Sequence, residues 1–262
     1  MRIKSAVIAA AVMLAFALSS CGKNEQPVQQ LNDLEKIKKA EIINVGIRCN
    51  ADKFSVMDQS NGKPSGNETD IAAAIAKQLL GDETKISFKE VTPETRNDML
   101  QNGEVDMVIA GFAYTDEASR LYNLSRPYYT DSIAVAVNAD SKITSLKQFK
   151  NGEIGIIKGS DTAQLLGNAA EKAGIKLIFA PYADFAKLRQ SLEAGKISGF
   201  ASYTSQLDNT DFLLKDRFAA KNYCIATKKQ NTELAAFIDE TLEKLAKKKQ
   251  LKKMQETNGI VS

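Results

Sequence analysis

The sequence predicts an α/β protein of two similar lobes with a ligand cleft between them. Short apolar stretches alternate with helical patterns along most of the 262 residues, which is typical of sheets covered by helices. The first half also resembles the second. Leu-Gln-Asn-Gly-Glu-Val at 100–105 corresponds to Leu-Glu-Ala-Gly-Lys-Ile at 192–197, and Val-Gly-Ile at 45–47 to Ile-Gly-Ile at 154–156. Two such lobes would face each other across a cleft, and clefts between domains are common ligand sites.

Composition narrows the class of function. The chain is 44% hydrophobic and 26% charged, which is ordinary for a globular protein. Its net charge is +3, of which +2 comes from Arg2 and Lys4 in the first 20 residues, so the remainder gives no basis for nucleic-acid binding. The absence of His removes Ser-His-Asp and Cys-His catalysis and the commonest zinc ligand. We therefore expect no enzyme, no metal and no cofactor.

The first 30 residues predict an export signal and a tether. A basic start precedes an apolar run at 6–18, which is too short to span a bilayer comfortably and has the flanks of a signal peptide. Leu-Ser-Ser-Cys at 18–21 looks like a bacterial lipobox, and this resemblance implies a signal peptide over 1–20, cleavage before Cys21 and acylation of its sulfur, for example by palmitate. A plain signal peptide with an incidental Cys is the alternative. Residues 21–30 are polar and predict a flexible tether to the membrane.

The first half of the body predicts strands and helices in alternation. The strand assignments rest on apolar or alternating runs, and the helix assignments on apolar spacing and start signals. The expected elements are a helix over 31–40, strands over 42–47 and 54–57, a turn at 61–64, a helix over 70–80, a strand over 85–91, a helix over 94–101 and a strand over 107–110.

The stretch 105–129 gives the first indication of a ligand site. Its buried strand is followed by Gly111 and then by Thr115 ahead of two acidic residues, which predicts a helix start. This order places free backbone N–H groups at the carboxyl edge of a sheet, where ligands of open α/β sheets bind. An ordinary strand–loop–helix connection is the alternative.

The second half predicts a similar series that ends in a long helix. The basic run at 247–249 suits a solvated helix C-terminus better than a nucleic-acid patch. The expected elements are strands over 132–137, 154–157, 176–180 and 197–202, and helices over 145–149, 163–173, 184–194 and 232–255.

A series of short motifs along the chain resembles the extracytoplasmic solute-binding proteins of polar amino-acid ABC transporters, often called family 3. They are Gly-Ile at 46–47, Gly-Asn-Glu-Thr-Asp-Ile at 66–71, Leu-Gln-Asn-Gly-Glu-Val-Asp at 100–106, Ala-Gly at 110–111, Thr-Asp-Glu at 115–117, Ser-Arg-Pro-Tyr-Tyr at 125–129, Lys-Gly-Ser at 158–160 and Tyr-Cys-Ile-Ala at 223–226. Each is weak alone, and their order behind a lipobox carries the resemblance.

The resemblance implies a two-lobed periplasmic-binding-protein fold of type II, with two crossover strands and a cleft that closes on its ligand by a hinge. The crossovers would lie near 128–132 and 221–224, giving lobe 1 over 31–129 and 223–262 and lobe 2 over 130–222. The implied protein is a monomer in the periplasm or at the cell surface. Its implied partners are a small polar metabolite, an ABC transporter permease and the membrane that holds its anchor.

The family's ligand chemistry is only partly present. An α-amino acid needs a partner for its carboxylate, usually a bidentate Arg, and an acid for its ammonium. The family's Arg position holds Ala118, the acid position holds Tyr203, and a small polar position holds Ala113. Arg120 is two residues away, on roughly the opposite helix face, and is a poor substitute. We therefore expect an atypical ligand site that binds common amino acids weakly.

Residues near the expected cleft supply the remaining candidates. Arg48, Arg96 or Arg126 would bring positive charge from elsewhere, and Lys158 would meet an anion or close the cleft. The N–H groups at 160–162 suit an acidic group, although Asp161 would repel one unless it caps its helix. The residues predicted to bind the ligand are Arg48, Asn50, Phe54, Gly111, Phe112, Ala113, Lys158, Ser160, Asp161, Thr162 and Tyr203.

Two other functions stay open at this point. A lyase of the cyclohexadienyl dehydratase kind on the same fold would need an acid or base, for which Asp161, Glu68 and Lys158 are the candidates. A degenerate relative that serves as a surface or sensory lipoprotein would explain the missing anchors.

Cys49 and Cys224 remain after the lipobox cysteine, and an extracytoplasmic compartment permits a disulfide between them. Two buried free thiols are the alternative.

Overall fold

The structure is a computed structural model that describes residues 32–149 and 153–261. The predicted signal peptide, the tether and Cys21 lie outside the described residues. Among the described helices, none combines the length and the apolar character needed to cross a membrane.

The described residues form a mixed α/β fold, as predicted. Its helices are α1 Asp33–Ala40, α2 Asn67–Leu80, α3 Arg96–Asn102, α4 Asp116–Leu121, α5 Thr162–Lys172, α6 Phe185–Glu193, α7 Thr232–Lys247 and α8 Gln250–Thr257, with 3-10 helices at Leu146–Gln148 and Thr204–Gln206. Its strands are β1 Ile43–Ile47, β2 Asn50–Ala51, β3 Ser55–Met57, β4 Pro64–Ser65, β5 Ile86–Glu90, β6 Met107–Ala113, β7 Tyr122–Leu124, β8 Tyr129–Val137, β9 Glu153–Ile157, β10 Ile178–Tyr182, β11 Gly199–Tyr203, β12 Phe212–Leu213 and β13 Phe218–Lys228.

One sheet runs through both halves of the chain in the order β10-β9-β11-β8-β13-β6-β1-β5. The outer strands on each side are parallel, β6-β1-β5 at one end and β10-β9-β11 at the other. The two long strands in the middle, β8 and β13, pair antiparallel with each other. They lie where the sequence predicts the two crossovers.

Buried apolar side chains divide into two groups that follow this arrangement. One is built mainly from residues before 130 and after 224. The other lies mainly between residues 133 and 214. Val261 is an exception near the C-terminus, because it packs against the second group. Each half of the sheet therefore has its own core.

The matched glycines of the two halves have the same role in these cores. A Cβ on Gly46 would approach Val91 Cγ1 to 2.9 Å, and a Cβ on Gly155 would collide with Leu188 and Ile197. Glycine at both strand centres thus lets neighbouring side chains pack against the backbone.

Two predicted elements differ from the structure. The single helix expected over 232–255 is wrong, because Lys249 is left-handed (φ 58°) and separates α7 from α8. The break lets α8 pack differently, with Leu251 buried and Gln255 donating to the Tyr128 carbonyl at 2.9 Å. Gly111 does not end its strand: β6 continues to Ala113 with Gly111 at φ 56°.

Candidate functional site

A cavity of about 470 Å³ lies where the two halves meet. It is large enough for a small metabolite. The first half and β13 contribute Arg48, Ala51, Asp52, Lys53, Phe54 and Tyr223, and the second half contributes Phe185, Arg189, Ser205, Gln206 and Asp208. A second cavity of about 560 Å³ is lined only by residues 163–179, on one side of the second half. The first cavity is the better candidate, because both halves of the chain build it.

The position of Arg48 follows from sheet topology. It comes directly after β1, whose parallel neighbours are β5 and β6. The carboxyl ends of parallel strands meet at one edge, where open α/β sheets bind their ligands. Gly111 and Phe112, in the last part of β6, lie at the same edge.

A buried carboxylate holds this edge together. Glu68, near the start of α2, is fully buried and accepts hydrogen bonds from the Gly111 N–H at 2.7 Å, the Tyr128 hydroxyl at 2.5 Å and the Ser55 hydroxyl at 2.9 Å. Arg48 Nη2 lies 3.5 Å from its Oε1. Burial raises the pKa of Glu68, against the opposing influence of Arg48 and the hydrogen bonds. Glu68 therefore serves to position β6 and Arg48.

The Arg48 guanidinium lies against the backbone of β6. A Cβ added to Gly111 would approach Arg48 Nη2 to 2.8 Å and Nη1 to 3.1 Å. Glycine is thus needed at this position both for its positive φ and for the close approach. The side chain of Arg48 is 30% exposed and also lines the cavity.

Arg96, at the start of α3, lies near Arg48. Its guanidinium carbon is 4.3 Å from the ring centroid of Phe112, which is buried and packs edge-on against Tyr122. Burial lowers the pKa of Arg96, and the positive charge of Arg48 lowers it further. Two cationic groups therefore share the carboxyl edge of the first half.

The second half brings Asp161, Tyr203 and Lys221 together. The Tyr203 hydroxyl donates to Asp161 at 3.1 Å, and the Lys221 ammonium lies 2.5 Å from that hydroxyl and 3.4 Å from Asp161. Asp161 occupies the N-cap position of α5 but its side chain makes no capping hydrogen bond. The capping role considered for Asp161 is therefore wrong, because the carboxylate contacts Tyr203 and Lys221 instead.

The other predicted site residues lie apart from the cavity lining. Asn50 is exposed on β2, and Lys158 is exposed after β9. Ser160 donates its hydroxyl to the Ile157 carbonyl, and Thr162 is buried at the first position of α5. Ala113 ends β6 opposite Tyr223. Of the predicted residues, Arg48 and Phe54 line the cavity.

Several cavity residues were not predicted. Lys53, Phe185, Arg189, Ser205, Gln206 and Asp208 carried no motif in the sequence. Tyr223 lies in the predicted crossover and in the motif Tyr-Cys-Ile-Ala at 223–226, but neither signal gave it a ligand-binding role. Phe54 and Tyr223 form part of an aromatic cluster with Tyr129, with ring centroids 5.3–6.4 Å apart.

Polar contacts link the two halves on either side of the cavity. The Lys53 ammonium donates to the Leu207 carbonyl at 2.7 Å and lies 3.1 Å from Asp208. On β8, the buried Asp131 accepts from Ser205 N–H and hydroxyl, from Thr204 and from the Tyr223 hydroxyl. Asp131 thus joins the two central strands to the loop that lines the cavity.

Ala118, the predicted position of the missing Arg, and Arg120 both lie on α4. Ala118 is half-buried, and its N–H donates to the Thr115 hydroxyl, which caps α4 as predicted. Arg120 is exposed on the same helix. Neither residue belongs to the cavity lining.

Both cysteines of the described residues are free thiols, so the disulfide alternative is not supported. Cys49 follows β1 and Cys224 lies in β13, and β6 separates the two strands in the sheet. Two strand spacings amount to about 10 Å, which exceeds the span of a disulfide.

Comparisons with known proteins agree on one family. The family model of "Bacterial extracellular solute-binding proteins, family 3" matches residues 43–259. An ABC transporter glutamine-binding protein of Bacillus subtilis (strain 168) is 32% identical over 241 residues, covering 90% of this chain and 88% of the relative.

Solved structures share the fold. The substrate-binding protein of a polar amino acid ABC uptake transporter from Streptococcus thermophilus has a TM-score of 0.75 at 17% identity, covering 87% of this chain and 90% of that chain. An ancestral amino-acid-binding protein, described as a precursor of cyclohexadienyl dehydratase, has a TM-score of 0.55 at 23% identity, covering 87% of this chain and 100% of that chain.

Proposed function

Because the chain belongs to the bacterial extracellular solute-binding proteins of family 3, we propose that it is the solute receptor of an amino-acid-type ABC importer. The observation that carries the proposal is the cavity of about 470 Å³, which residues from both halves of the chain line together. The relative in Bacillus subtilis, named an ABC transporter glutamine-binding protein, supports an importer as the partner.

The receptor binds a small polar metabolite by closing one lobe on the other. Lobe 1 comprises 31–129 and 223–262, lobe 2 comprises 130–222, and β8 and β13 form the hinge. The Asp131 contacts to Tyr223 and Ser205 support this division, because they connect the hinge strands to the cavity lining. The cleft site includes Arg48 and Phe54, the two predicted residues that line the cavity, together with Lys53, Arg189 and Tyr223.

The receptor works outside the cytoplasm as a monomer that delivers its solute to a permease. Cleavage before Cys21 and acylation of that residue anchor it to the membrane, at the periplasmic or the cell surface. Metabolic labelling with a palmitate analogue tests the anchor: wild type should take up label and Cys21→Ala should not. Label that survives in Cys21→Ala would refute the anchor at this residue.

Binding takes place without chemistry. Of the three acid and base candidates, Glu68 is fully buried with three hydrogen-bond donors, and Asp161 contacts Tyr203 and Lys221, so neither is a free general acid or base. The third, Lys158, is exposed and does not line the cavity. The dehydratase alternative is tested by incubating the protein with prephenate or arogenate. A product peak above that of heat-inactivated protein would contradict the receptor proposal.

Thermal-shift screening tests the receptor directly. A panel of amino acids, dipeptides, amines and organic acids should contain at least one compound that raises the melting temperature. A ligand that binds only the native state stabilises it by about 2.7 kcal/mol at 100 times its Kd. If no compound in the panel shifts the melting temperature, the receptor proposal is refuted in favour of the alternative of a surface or sensory lipoprotein that has lost solute binding.

A further inference from the structure

The surface where α7 meets α8 carries a concentration of positive charge. Between Glu243 and Glu256 the chain has six lysines and no acidic residue, so residues 243–256 have a net charge of +4. Because the chain after position 20 has a net charge of +1, all its other residues together carry −3. The six lysines are all exposed and form what we call the basic patch: Lys244, Lys247, Lys248, Lys249, Lys252 and Lys253.

Local structure turns these lysines outward. The helix α7 ends at Lys247 and α8 begins at Gln250, with Lys249 left-handed between them. Leu245 and Leu251 are buried on either side of this break. The apolar positions of both helices therefore face the core, and the lysines between them face solvent.

Neighbouring acids neutralise only half of the basic patch. Three of its lysines pair with a glutamate one turn away on the same helix, Lys244 at 2.8 Å, Lys247 at 2.6 Å and Lys252 at 3.7 Å. Among residues 32–149 and 153–261, the other three have no carboxylate within 4.0 Å, namely Lys248, Lys249 and Lys253. Three unpaired ammonium groups within six residues repel one another, and an anionic partner would offset that repulsion.

A groove with apolar walls adjoins the basic patch. It is a cavity of about 490 Å³ between α2 and the junction of α7 with α8. Ala73, Ala74, Leu245 and Met254 supply its apolar lining, and Lys248 of the basic patch lies at its side. A partner that meets this surface therefore finds ammonium groups and apolar side chains next to each other.

The acidic residues that line the groove are already engaged. Asp70 accepts a hydrogen bond from the Asn258 side chain at 2.7 Å, and Glu83 pairs with Lys77 at 2.9 Å. These carboxylates are thus less able to offset the charge of the basic patch.

The breadth of the basic patch indicates the kind of partner. Six ammonium groups spread over two helix ends match a surface with many phosphates, since a single small anion would engage only one or two of them. Binding to such a surface grows with electrostatic attraction and with the apolar area that is buried beside it. An anionic phospholipid surface offers both.

The predicted anchor keeps such a surface within reach. Ten residues, 22–31, separate Cys21 from the described part of the chain, and ten residues extend over at most about 33–36 Å. They lead into α1, which packs against α7. Because α7 with its 16 residues is about 24 Å long, even its far end is within the reach of the tether.

We propose that the basic patch docks on anionic phospholipids of the membrane that holds the anchor. Lysine ammonium groups near such a surface are attracted to its phosphates, with a strength that falls off within a Debye length. The docking builds on the anchoring proposed above, because the anchor holds the patch near the membrane. All six lysines belong to the proposed lobe 1, so docking leaves lobe 2 free to close on the solute.

Vesicle co-sedimentation with charge variants tests the proposal. The protein is the chain from Gly22 onward, which keeps the cores of both halves and lacks Cys21, so no acyl group can carry it to the vesicles. The vesicles consist of phosphatidylcholine alone, or of phosphatidylcholine and phosphatidylglycerol in a ratio of two to one.

Three triple variants separate the basic patch from net charge. The patch variant carries Lys248→Gln, Lys249→Gln and Lys253→Gln, and the charge-keeping variant carries Arg at the same three positions. The control variant replaces three lysines of the second half that are exposed and have no carboxylate within 4.0 Å among the described residues: Lys172→Gln, Lys176→Gln and Lys196→Gln. The patch and control variants lose the same net charge.

Wild type should bind the anionic vesicles and leave the neutral ones unbound. Raising the salt from about 0.1 M to about 1 M shortens the Debye length from about 10 Å to about 3 Å and should release it. Each lysine near an anionic surface contributes about fivefold in binding, so the patch variant should bind about a hundredfold more weakly. The control and charge-keeping variants should stay within about twofold of wild type.

Four results would overturn the docking surface. They are no binding to anionic vesicles at low salt, equal binding to neutral and anionic vesicles, an equal loss in the patch and control variants, and a loss in the charge-keeping variant as large as that in the patch variant. Each would leave the receptor and its anchor standing, because thermal shifts by solutes and palmitate labelling are measured without vesicles.

Discussion

Replacing Gly111 by Ala probes the contact between β6 and Arg48. Gly111 has a φ of 56°, and alanine in this left-handed region costs about 1–2 kcal/mol. The new Cβ would also lie 2.8–3.1 Å from the Arg48 guanidinium nitrogens, which must move away. Arg48 then no longer offsets the buried charge of Glu68, at a further cost of about 1–3 kcal/mol. The variant should lose about 2–5 kcal/mol of unfolding free energy in urea.

Gly159→Ala is the matched control for this substitution. Gly159 has a φ of 81°, and a Cβ there meets nothing within 4 Å, so the change carries the backbone cost alone, about 1–2 kcal/mol. The double variant Arg48→Ala, Gly111→Ala removes the collision and should cost less than the sum of the single changes. If Gly111→Ala and Gly159→Ala lose equal stability, or if the double variant is additive, the Arg48 contact does not exist as described.

Three further predictions concern buried groups. Burial raises the pKa of Glu68 above its ordinary 4.5, so between these two pKa values the folded state retains a proton that the unfolded state has lost. Wild-type stability should therefore fall as pH rises from about 4.5 through the folded pKa. Urea midpoints plotted against pH over pH 4.5–8 should have a smaller slope for Glu68→Gln than for wild type, and equal slopes would contradict this. Asp131→Asn should lose about 1–3 kcal/mol of unfolding free energy, because it disturbs four hydrogen bonds. As a control, Asp140→Asn at an exposed position should stay within about 0.5 kcal/mol of wild type in the same urea assay. Similar losses in the two variants would rule out a special role for Asp131. Maleimide should label Cys49 before Cys224 in native protein, because Cys224 is buried and burial raises its thiol pKa to about 11. In denatured, unreduced protein, mass spectrometry should find both cysteines labelled. If the two were joined in a disulfide, neither would be labelled.

Much of the fold was predictable because the decisive signals are local. The apolar run before Gly111 and the Thr115 cap each specify their element from a few neighbouring residues. The break at Lys249 was not predictable, because nothing in the basic run favours a left-handed residue. It follows from where α8 must lie for Gln255 to reach the Tyr128 carbonyl, which is a long-range contact.

The site was predicted only where the sheet topology determines position. Arg48 and Phe54 could be expected near the cleft because they follow the end of β1. Arg189 could not, because the face that α6 turns to the cavity depends on packing between elements. The contacts of Asp161 with Tyr203 and Lys221 could not be predicted either, because they join three segments that are far apart in sequence.

Because Lys53 contacts Leu207 and Asp208, the affinity of the receptor should depend on ionic strength even when the solute itself carries no charge. The Lys53 ammonium bridges the two halves next to the cavity, and Asp208 on the other side is half exposed. A pair of this kind contributes about 0–1 kcal/mol and is screened by salt. Each 1.4 kcal/mol that favours closure before the solute arrives would tighten apparent affinity about tenfold. Added salt should therefore weaken the binding of an uncharged compound by up to about fivefold, because it screens the Lys53–Asp208 pair between the two halves.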